Sequence, residues 1–494
     1  MKKTALLALS LLLALTAATA SALTLTGPET ESVSRYWEES QFFPRMEALT
    51  GVSMEPKTVL EQDEYDKLLA GMLRGSIPAD VLFKAELTRD EERALLDAGA
   101  IIDLSSLLEE NMPNLSALLE AHPEWREVIT LPDGRIASLP LLSENERQVC
   151  VFINRAWLDK LGLDMPATLD ELTAALAAMA ATDLNGNYKS DEIGADLTGV
   201  WEMRWLLPYF GIVADDYNIA RVDGEAVFAP ELPGYRDFVA LLRDWVEQGI
   251  LTDEAFTGYH STALLSSSSN DDNPEVSGLL VSMTPFTQVD ADDVTDYEAL
   301  LMPGPDGEIV WRDLLGCVWT GCYAVTSACG DPADALRWVD ALYGEEGALL
   351  GYAGVEGEDY TYSAEGYWTF KVDTLRTIDD IRSQVIMYTG TTMPGLVPDA
   401  FLQKVDSEAD RHIFAQSAKV KAYATQVTPA YALDDASQQR ADELAAVLGG
   451  MVDRGIAQFA TGEIPLDDEH WDAWLAQLRE AGSAELAEIF NTVR

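Results

Sequence analysis

The sequence predicts an α/β fold, because short apolar runs typical of strands alternate along the chain with segments of helical periodicity. One of these runs, Ala79–Phe83, is almost continuously apolar, which is typical of a strand buried in a parallel sheet. Hydrophobic residues form 48% of the 494 residues. This proportion excludes a disordered chain, and the length provides core material for about two or three domains.

The first elements follow from local sequence patterns. Leu23–Gly27 predicts a strand, and Tyr36–Leu49 predicts a helix. Tyr65–Leu73 has the apolar face of a second helix. Further along, Arg135–Leu139 leads toward the apolar run Val149–Ile153, which predicts another strand.

Helix-capping signals mark the later elements. Thr168 and Glu171 have the spacing of a capping box, which predicts a helix from this point to about Thr182. Asp331 followed by Pro332 begins another helix, since proline suits the first helical position. Two long helical regions are expected near the carboxyl terminus, at Ala436–Gly455 and Asp468–Val493.

The first 22 residues have the pattern of a Sec signal peptide. The start MKK is positive, Leu6–Leu15 is apolar, and Ala20–Ala22 reads as a cleavage site. We therefore expect a secreted protein, located at the extracellular face of the cell membrane or in the periplasm. The sequence has no lipobox cysteine after the signal, since the first cysteine is Cys150, so any membrane tether must come from something else.

The formal net charge of −51 repels nucleic acids and anionic membrane surfaces, so no nucleic-acid partner is expected. The cysteines are few for so long a chain, and they lack the paired spacing of a zinc site. One disulfide is possible in an oxidising compartment, but buried free thiols are the expected state. The four cysteines are Cys150, Cys317, Cys322 and Cys329.

The segment Asp183–Glu192, DLNGNYKSDE, carries oxygen-bearing side chains at nearly every second position. Calcium takes six to eight oxygen ligands, and a loop that curls around it presents alternate side chains inward. The loop is not an EF-hand, because Gly186 is at its fourth position and Gly194 at its twelfth. The alternative is an Asn-Gly turn followed by solvated acids.

Several signatures of enzymes are absent from the sequence. It contains no phosphate-binding loop, dinucleotide fingerprint, nucleophile elbow or HExxH motif. The four histidines are isolated from one another in the sequence. A carboxylate pair for glycoside hydrolysis stays open, because 84 acidic residues produce close pairs by chance. The expectation is a protein without enzymatic activity.

Clustered Trp and Tyr residues indicate a carbohydrate cleft, because flat aromatic rings stack on the C–H faces of sugars. The alternative for each ring is a place in the hydrophobic core. The candidate ligand-binding residues are Trp201, Trp319, Tyr360 and Trp368.

The segment Ile153–Gly194 closely resembles the extracellular solute-binding proteins of family 1. Within that family it is similar to the large oligosaccharide-binding subgroup of alginate-binding and LplA-like receptors. Its INRAWLDKLGL, PATLDE and DLNGNYKSDEI motifs carry the resemblance, and the last corresponds to the calcium loop of the family. Segments that match in the expected order are Gly75–Phe83, Leu131–Pro140, Asp331–Gly347 and Ala460–Leu478.

The resemblance implies a periplasmic-binding-protein-like fold of type II, in which hinge strands join two α/β lobes. After the signal peptide (1–22), the amino-terminal lobe would comprise 23–145 plus 318–390. The second lobe would comprise 146–317 plus 391–494, with the calcium loop and the carboxyl-terminal helices. The expected crossings between lobes are Leu139–Asn154, Leu314–Ala324 and Met387–Pro398.

The resemblance also implies the ligands and partners. A structural Ca²⁺ would be held by the Lys189 carbonyl and by the side chains of Asp183, Asn185, Asn187, Asp191 and Glu192. A carbohydrate, in this subgroup an oligosaccharide, would bind between the lobes and pass to an ABC permease in the membrane. The protein would act as a monomer. The alternatives are a secreted carbohydrate-active enzyme and a sugar sensor without transport.

Overall fold

The computed structural model describes residues 22–30, 36–59, 61–144, 147–256, 275–313, 318–425, 427 and 433–492. All of the predicted signal peptide except Ala22 lies outside the described residues. Cys317 lies outside them too, as do parts of two predicted crossings, at 145–146 and 314–317. Within the described ranges, no helix has both the length and the apolar character needed to cross a membrane.

The described strands are short. They are β1 (Leu23–Pro28), β2 (Met54–Val59), β3 (Val81–Phe83), β4 (Leu139–Leu142), β5 (Cys150–Asn154), β6 (Ile193–Asp196), β7 (Ile219–Val222), β8 (Glu225–Phe228), β9 (Ser277–Ser282), β10 (Tyr297–Ala299), β11 (Trp311–Arg312), β12 (Val318–Val325), β13 (Tyr360–Tyr362), β14 (Trp368–Phe370), β15 (Gly395–Leu396) and β16 (Ala424–Thr425).

The described helices range from single turns to one long carboxyl-terminal helix. They are α1 (Phe42–Thr50), α2 (Gln62–Met72), α3 (Arg89–Asp97), α4 (Leu108–Asn111), α5 (Pro113–Ala121), α6 (Pro123–Ile129), α7 (Arg155–Leu161), α8 (Leu169–Ala180), α9 (Val200–Met203), α10 (Pro233–Glu247), α11 (Pro332–Asp340), α12 (Glu345–Tyr352), α13 (Ile378–Gln384), α14 (Asp399–Leu402), α15 (Glu408–Lys421), α16 (Asp435–Ala460), α17 (Asp468–Glu480) and α18 (Ser483–Asn491).

The first sheet has the strand order β2-β1-β3-β12-β4-β15. Its strands run parallel except β12, which is antiparallel to both β3 and β4. A buried apolar cluster packs beneath it, with the aromatic rings of Phe42, Phe43, Phe83 and Trp338 in mutual contact. This is the core that the apolar run Ala79–Phe83 predicts.

The second sheet has the order β6-β9-β5-β10, and β5 is its antiparallel strand. It lies in a separate and larger apolar cluster that also takes in α8, α10 and the carboxyl-terminal helices. Both sheets therefore contain one antiparallel strand beside parallel neighbours.

The chain passes between the sheets where the parallel strands end. From the end of β4 at Leu142, residues 143–149 lead directly into β5. The first residue of β5, Cys150, pairs with the last residue of β9, Ser282, at the carboxyl edge of the second sheet. A connection this short spans at most about 30 Å. The carboxyl edges of the two sheets are therefore neighbours.

The capping predictions are confirmed, with one difference in detail. The Thr168 side chain accepts the Glu171 N–H at 3.2 Å and α8 follows, while the Glu171 carboxylate accepts the N–H of Ala167 at 2.9 Å. Asp331 caps α11, with Pro332 as the first helical residue. The three helices α16 to α18 form the predicted carboxyl-terminal region.

The helix predicted from Tyr36 begins later, at Phe42, after a 3₁₀ turn. The N–H of Gln41 and the hydroxyl of Ser40 both donate to the carbonyl of Gln384, at 2.8 and 3.1 Å. These contacts with a distant segment hold the backbone out of the helix.

Cys150 and Cys322 are buried free thiols, as the sequence predicted, and Cys329 is a free thiol that is only half-buried. Burial raises the pKa of Cys150 to about 12, so its thiol is unreactive near neutral pH. The predicted lobe boundaries stay a prediction. Strand β15 pairs with β4 in the first sheet, although it lies beyond residue 390, where the predicted first lobe ends.

Candidate functional site

The carboxyl edge of the first sheet has the topology of a ligand site. In open α/β sheets, ligands bind outside the carboxyl ends of the parallel strands. Strands β1, β3 and β4 end at this edge, and the antiparallel β12 begins there, with Val318 paired to Leu142. Residues that follow β1 and β3, or that open β12, therefore lie around one space.

A buried ion pair organises this edge. Lys84, directly after β3, places its Nζ 2.9 Å from Oε2 of Glu29, which follows β1. Both side chains are fully buried. The same ammonium group donates to the carbonyls of Met387 and Thr389, at 3.0 and 2.9 Å. The pair thus fixes the segment 387–389 over the ends of two strands.

The other bonds of Glu29 complete this network. Its Oε2 also accepts from Trp37 Nε1, and its Oε1 accepts from the N–H of Thr391, each at 3.1 Å. Burial by itself raises the pKa of Glu29, but the charge and hydrogen bond of Lys84, together with these donors, hold that pKa below its usual range. The stabilisation is therefore present above the ordinary glutamate pKa and is lost as pH falls through the lowered value.

Exposed aromatic rings lie at this edge. Trp319, the second residue of β12, is 42% exposed at a bulge in the β4–β12 pairing. Tyr388 is 46% exposed on the segment held by Lys84, and its ring stacks on Tyr352 with centroids 4.2 Å apart. The sequence predicted Trp319 as a candidate but missed Tyr388. The signal for Tyr388 was its place in the predicted crossing Met387–Pro398.

The second sheet presents Trp201 at its own carboxyl edge. Strand β6 ends at Asp196, and Trp201 follows in the short helix α9 with 48% of its surface exposed. Its ring makes an edge contact with Trp205, which is buried. Trp201 and Trp319 therefore both lie at carboxyl edges, one at each sheet.

Tyr360 and Trp368 lie in a different environment. They sit on the β13–β14 hairpin, and only 4% and 5% of their surfaces are exposed. Trp368 stacks on Phe401 at 4.5 Å and donates its Nε1–H to the Phe401 carbonyl at 2.8 Å. These two residues fill a small core, the alternative that the sequence left open for each candidate ring.

A wide cleft of about 960 Å³ opens between α3 and the start of α16. Arg89 and Arg93 line one wall. Asp434, Asp442 and Glu443 line the other. The first wall also carries Asp90, and its two arginines form ion pairs within α3, Arg89 with Glu92 at 2.8 Å and Arg93 with Asp90 at 3.5 Å. None of the four predicted aromatic residues is among its lining residues.

The backbone of the predicted cation loop folds around its own side chains. The two carboxylate oxygens of Asp183 accept the N–H groups of Gly186 and Tyr188, at 2.8 and 3.0 Å. Asn185 and Asn187 each accept the N–H two residues on, at 3.1 and 2.8 Å. Tyr188 takes a left-handed backbone, and 95% of its surface is exposed.

The donor groups of the loop fit a calcium ion. The Asp191 carboxylate lies 3.0–3.2 Å from the amide nitrogens of both Asn185 and Asn187, so three side chains converge. The Oδ1 atom of each amide accepts one backbone N–H and keeps a second lone pair, which is available to a cation. Glu192, which is buried, turns back to accept the Leu184 N–H at 2.8 Å. Lys189 is exposed.

No three His, Cys, Asp or Glu side chains in the described ranges are arranged to hold a metal ion. The loop would therefore depend on amide and carbonyl oxygens beside its carboxylates, which suits a hard cation such as Ca²⁺ and not zinc.

Known proteins resemble parts of this sequence. It is 31% identical over 230 residues to the fructooligosaccharide ABC transporter substrate-binding protein FusA of Streptococcus pneumoniae. The matched segment covers 44% of this chain and 42% of FusA. The chain thus spans less than half the length of this curated relative. No protein-family model matches the sequence.

Solved structures resemble the whole described architecture. An extracellular solute-binding protein from Bifidobacterium longum subsp. infantis superposes with a TM-score of 0.78 at 22% identity, covering 95% of this chain and 97% of that one. The chain has the fold of an extracellular solute-binding protein. FusA of S. pneumoniae in complex with kestose gives a TM-score of 0.72 at 20% identity, over 96% and 98% of the two chains. The predicted resemblance and the two-lobe fold are confirmed.

Two further solved structures have the same fold. One is FusA of S. pneumoniae as an EF-hand mutant in complex with fructo-nystose, with a TM-score of 0.71 at 20% identity, over 96% and 98% of the two chains. The other is the alginate-binding protein AlgQ2 without calcium ion, with a TM-score of 0.65 at 17% identity and the same coverage.

We expect Lys84→Met to lower the free energy of unfolding by about 3–5 kcal/mol, because it leaves the Glu29 carboxylate buried without its partner. Urea denaturation at neutral pH, followed by tryptophan fluorescence, measures the change. The control is Lys57→Met, which removes an exposed lysine and should stay within about 0.5 kcal/mol of the wild type. Equal losses in the two variants would contradict the role of the buried pair.

Proposed function

We propose that this protein is an extracellular receptor that binds a carbohydrate between its lobes and delivers it to an ABC permease. The observation that carries the proposal is the exposure of Trp201 and Trp319 at the neighbouring carboxyl edges of the two sheets. Aromatic rings that stay exposed between two lobes suit the apolar C–H faces of sugars. The sequence relative FusA is a fructooligosaccharide transporter component, which supports an oligosaccharide as ligand.

Closure of the lobes would couple ligand binding to delivery. A sugar that contacts both Trp319 and Trp201 makes all its contacts only when the edges approach, so it favours the closed state. The closed receptor would then present its ligand to the permease.

Tyr360 and Trp368 have a supporting role in this proposal. Their rings are covered by Phe401 and by each other, so a sugar could reach them only after the hairpin opened. At the carboxyl edge of the first sheet, the exposed rings available to a sugar are those of Trp319 and Tyr388.

We propose that Ca²⁺ binds the loop through Asp183, Asn185, Asn187, Asp191 and Glu192, with the carbonyl of Lys189, and has a structural role. The loop precedes β6, whereas Trp201 follows it, so the two lie at opposite ends of that strand. The ion would not touch the sugar. It would instead stabilise the connection between α8 and β6. The hydrogen bond from Asn185 Nδ2 to the carbonyl of Glu275, at 3.0 Å, also links the loop to the residues that precede β9.

The remaining parts of the proposal follow from the same function. The protein would act as a monomer outside the cell membrane, without enzymatic activity. Its lobes would comprise 23–145 plus 318–390 and 146–317 plus 391–494, except that β15 at Gly395–Leu396 belongs with the first sheet.

Calorimetry with kestose, other fructooligosaccharides and alginate oligosaccharides should detect binding of at least one class of oligosaccharide. Chromatography of the same mixtures after prolonged incubation should detect no shortened product. Product formation would identify an enzyme instead, and the absence of binding throughout would overturn the proposal.

Replacement of Trp319 by Ala should weaken binding of that oligosaccharide about tenfold, since it removes one stacking face. Leu375→Ala is the control, because Leu375 is 91% exposed and lies between β14 and α13. Unchanged affinity of the Trp319 variant would show that the sugar does not use this edge.

EDTA should lower the melting temperature of the calcium-loaded protein by about 4 °C or more, because the ion stabilises only the folded loop. Differential scanning calorimetry with and without added Ca²⁺ measures the shift. Asp191→Asn should abolish the response, whereas Asp472→Asn, an exposed change on α17, should preserve it. An identical melting temperature with and without EDTA would exclude the calcium site.

A further inference from the structure

The chain directly after β3 is unusual, because two residues that are not glycine adopt a left-handed backbone. The φ angles are 53° at Lys84 and 47° at Glu86. This conformation costs about 1–2 kcal/mol for a residue with a Cβ. Such conformations persist only where neighbouring contacts impose them, and they concentrate at functional sites.

The contacts that impose this conformation come from β12. The N–H of Ala85 donates to the Cys322 carbonyl at 3.0 Å, and the N–H of Leu87 donates to the Gly321 carbonyl at 3.1 Å. Gly321 is itself left-handed, and a Cβ there would lie 2.1 Å from the Leu87 carbonyl oxygen, so only glycine fits. The bulged strand thus holds residues 84–87 in an irregular path.

This path sends the two charged side chains to different places. Lys84 enters the buried network with Glu29, whereas Glu86 is exposed at the edge of the sheet. The Oε1 atom of Glu86 accepts from both the N–H and the hydroxyl of Thr392, at 3.0 and 3.1 Å. The carboxylate is therefore held in one orientation at the surface.

The second carboxylate oxygen of Glu86, Oε2, has no hydrogen-bond donor from the part of the chain that the structure describes. A fixed, exposed carboxylate oxygen is a strong acceptor for a hydroxyl group. The same edge carries the ring of Trp319, two residues before Gly321, and the ring of Tyr388, four residues before Thr392. An oriented acceptor beside exposed rings suits a sugar, which has hydroxyl groups around flat C–H faces.

We propose that Glu86 is a specificity-determining residue of the carbohydrate site. Its Oε2 accepts hydrogen bonds from sugar hydroxyls while the ring of Trp319 takes the C–H face. A negative charge at this point repels carboxylated sugars, so the site selects neutral oligosaccharides over acidic ones. The inference rests on the proposed function, because it names the class of sugar that the same site takes.

The test compares the wild type, Glu86→Gln and Glu109→Gln by calorimetry, with kestose as the neutral probe and an alginate trisaccharide as the acidic probe. Glutamine keeps an oxygen for Thr392 but loses the charge, and Glu109 is an exposed acid on α4 away from this edge. The wild type should bind kestose more tightly than the alginate probe. Glu86→Gln should bind kestose about tenfold more weakly and should narrow the preference over the alginate probe.

Glu109→Gln should behave as the wild type does, and all three melting temperatures should agree within about 2 °C. Binding of kestose by the wild type with no change in Glu86→Gln overturns this inference and leaves the proposed function intact. Tighter wild-type binding of the alginate probe overturns the predicted selectivity. Failure of the wild type to bind either probe or any other oligosaccharide overturns the proposed function itself. A melting-temperature loss confined to Glu86→Gln, with the ratio of the two affinities unchanged, indicates a structural role only and overturns the inference.

Discussion

The constraint on which the site depends is the short connection between the two sheets. Strand β4 ends at Leu142 and β5 begins at Cys150. Since β5 enters its sheet antiparallel, it starts beside the end of β9. Strand β12 has the same relation to β4 in the first sheet. Both carboxyl edges are thereby kept near each other, as the proposed carbohydrate site requires. The candidate calcium loop lies at the amino end of β6, outside this space.

The buried pair of Lys84 and Glu29 acts on geometry more than on net stability. A buried ion pair gains little over apolar residues of the same volume, because both charges lose their hydration. Here the pair joins the ends of β1 and β3 to the segment that carries Tyr388. We interpret the pair as the contact that fixes the backbone of the carboxyl edge of the first sheet. At the surface of the same edge, the left-handed backbone of Glu86 and its hydrogen bonds to Thr392 fix the position of the Glu86 carboxylate.

The four aromatic candidates form two pairs that differ in solvent exposure. Trp319 is the second residue of β12, at a bulge, and Trp201 follows the end of β6, so the fold leaves both side chains partly exposed. Tyr360 and Trp368 stand on a hairpin that Phe401 covers. Phe401 lies more than thirty residues away along the chain, and residue type gives no information about such a partner. The same limit explains the late start of α1, which depends on the carbonyl of Gln384.

By itself, the sequence determined the features that depend on near neighbours. The cap of α8 at Thr168, the start of α11 at Pro332, the apolar strands and the spacing of oxygens in Asp183–Glu192 all arise within a few residues. The family resemblance added the two-lobe fold. Only the tertiary structure decided which rings stay exposed, how Lys84 reaches Glu29 and where the Glu86 carboxylate points. These features depend on hydrogen bonds and packing between segments far apart in the chain. Such contacts cannot be predicted from the pattern of neighbouring residues.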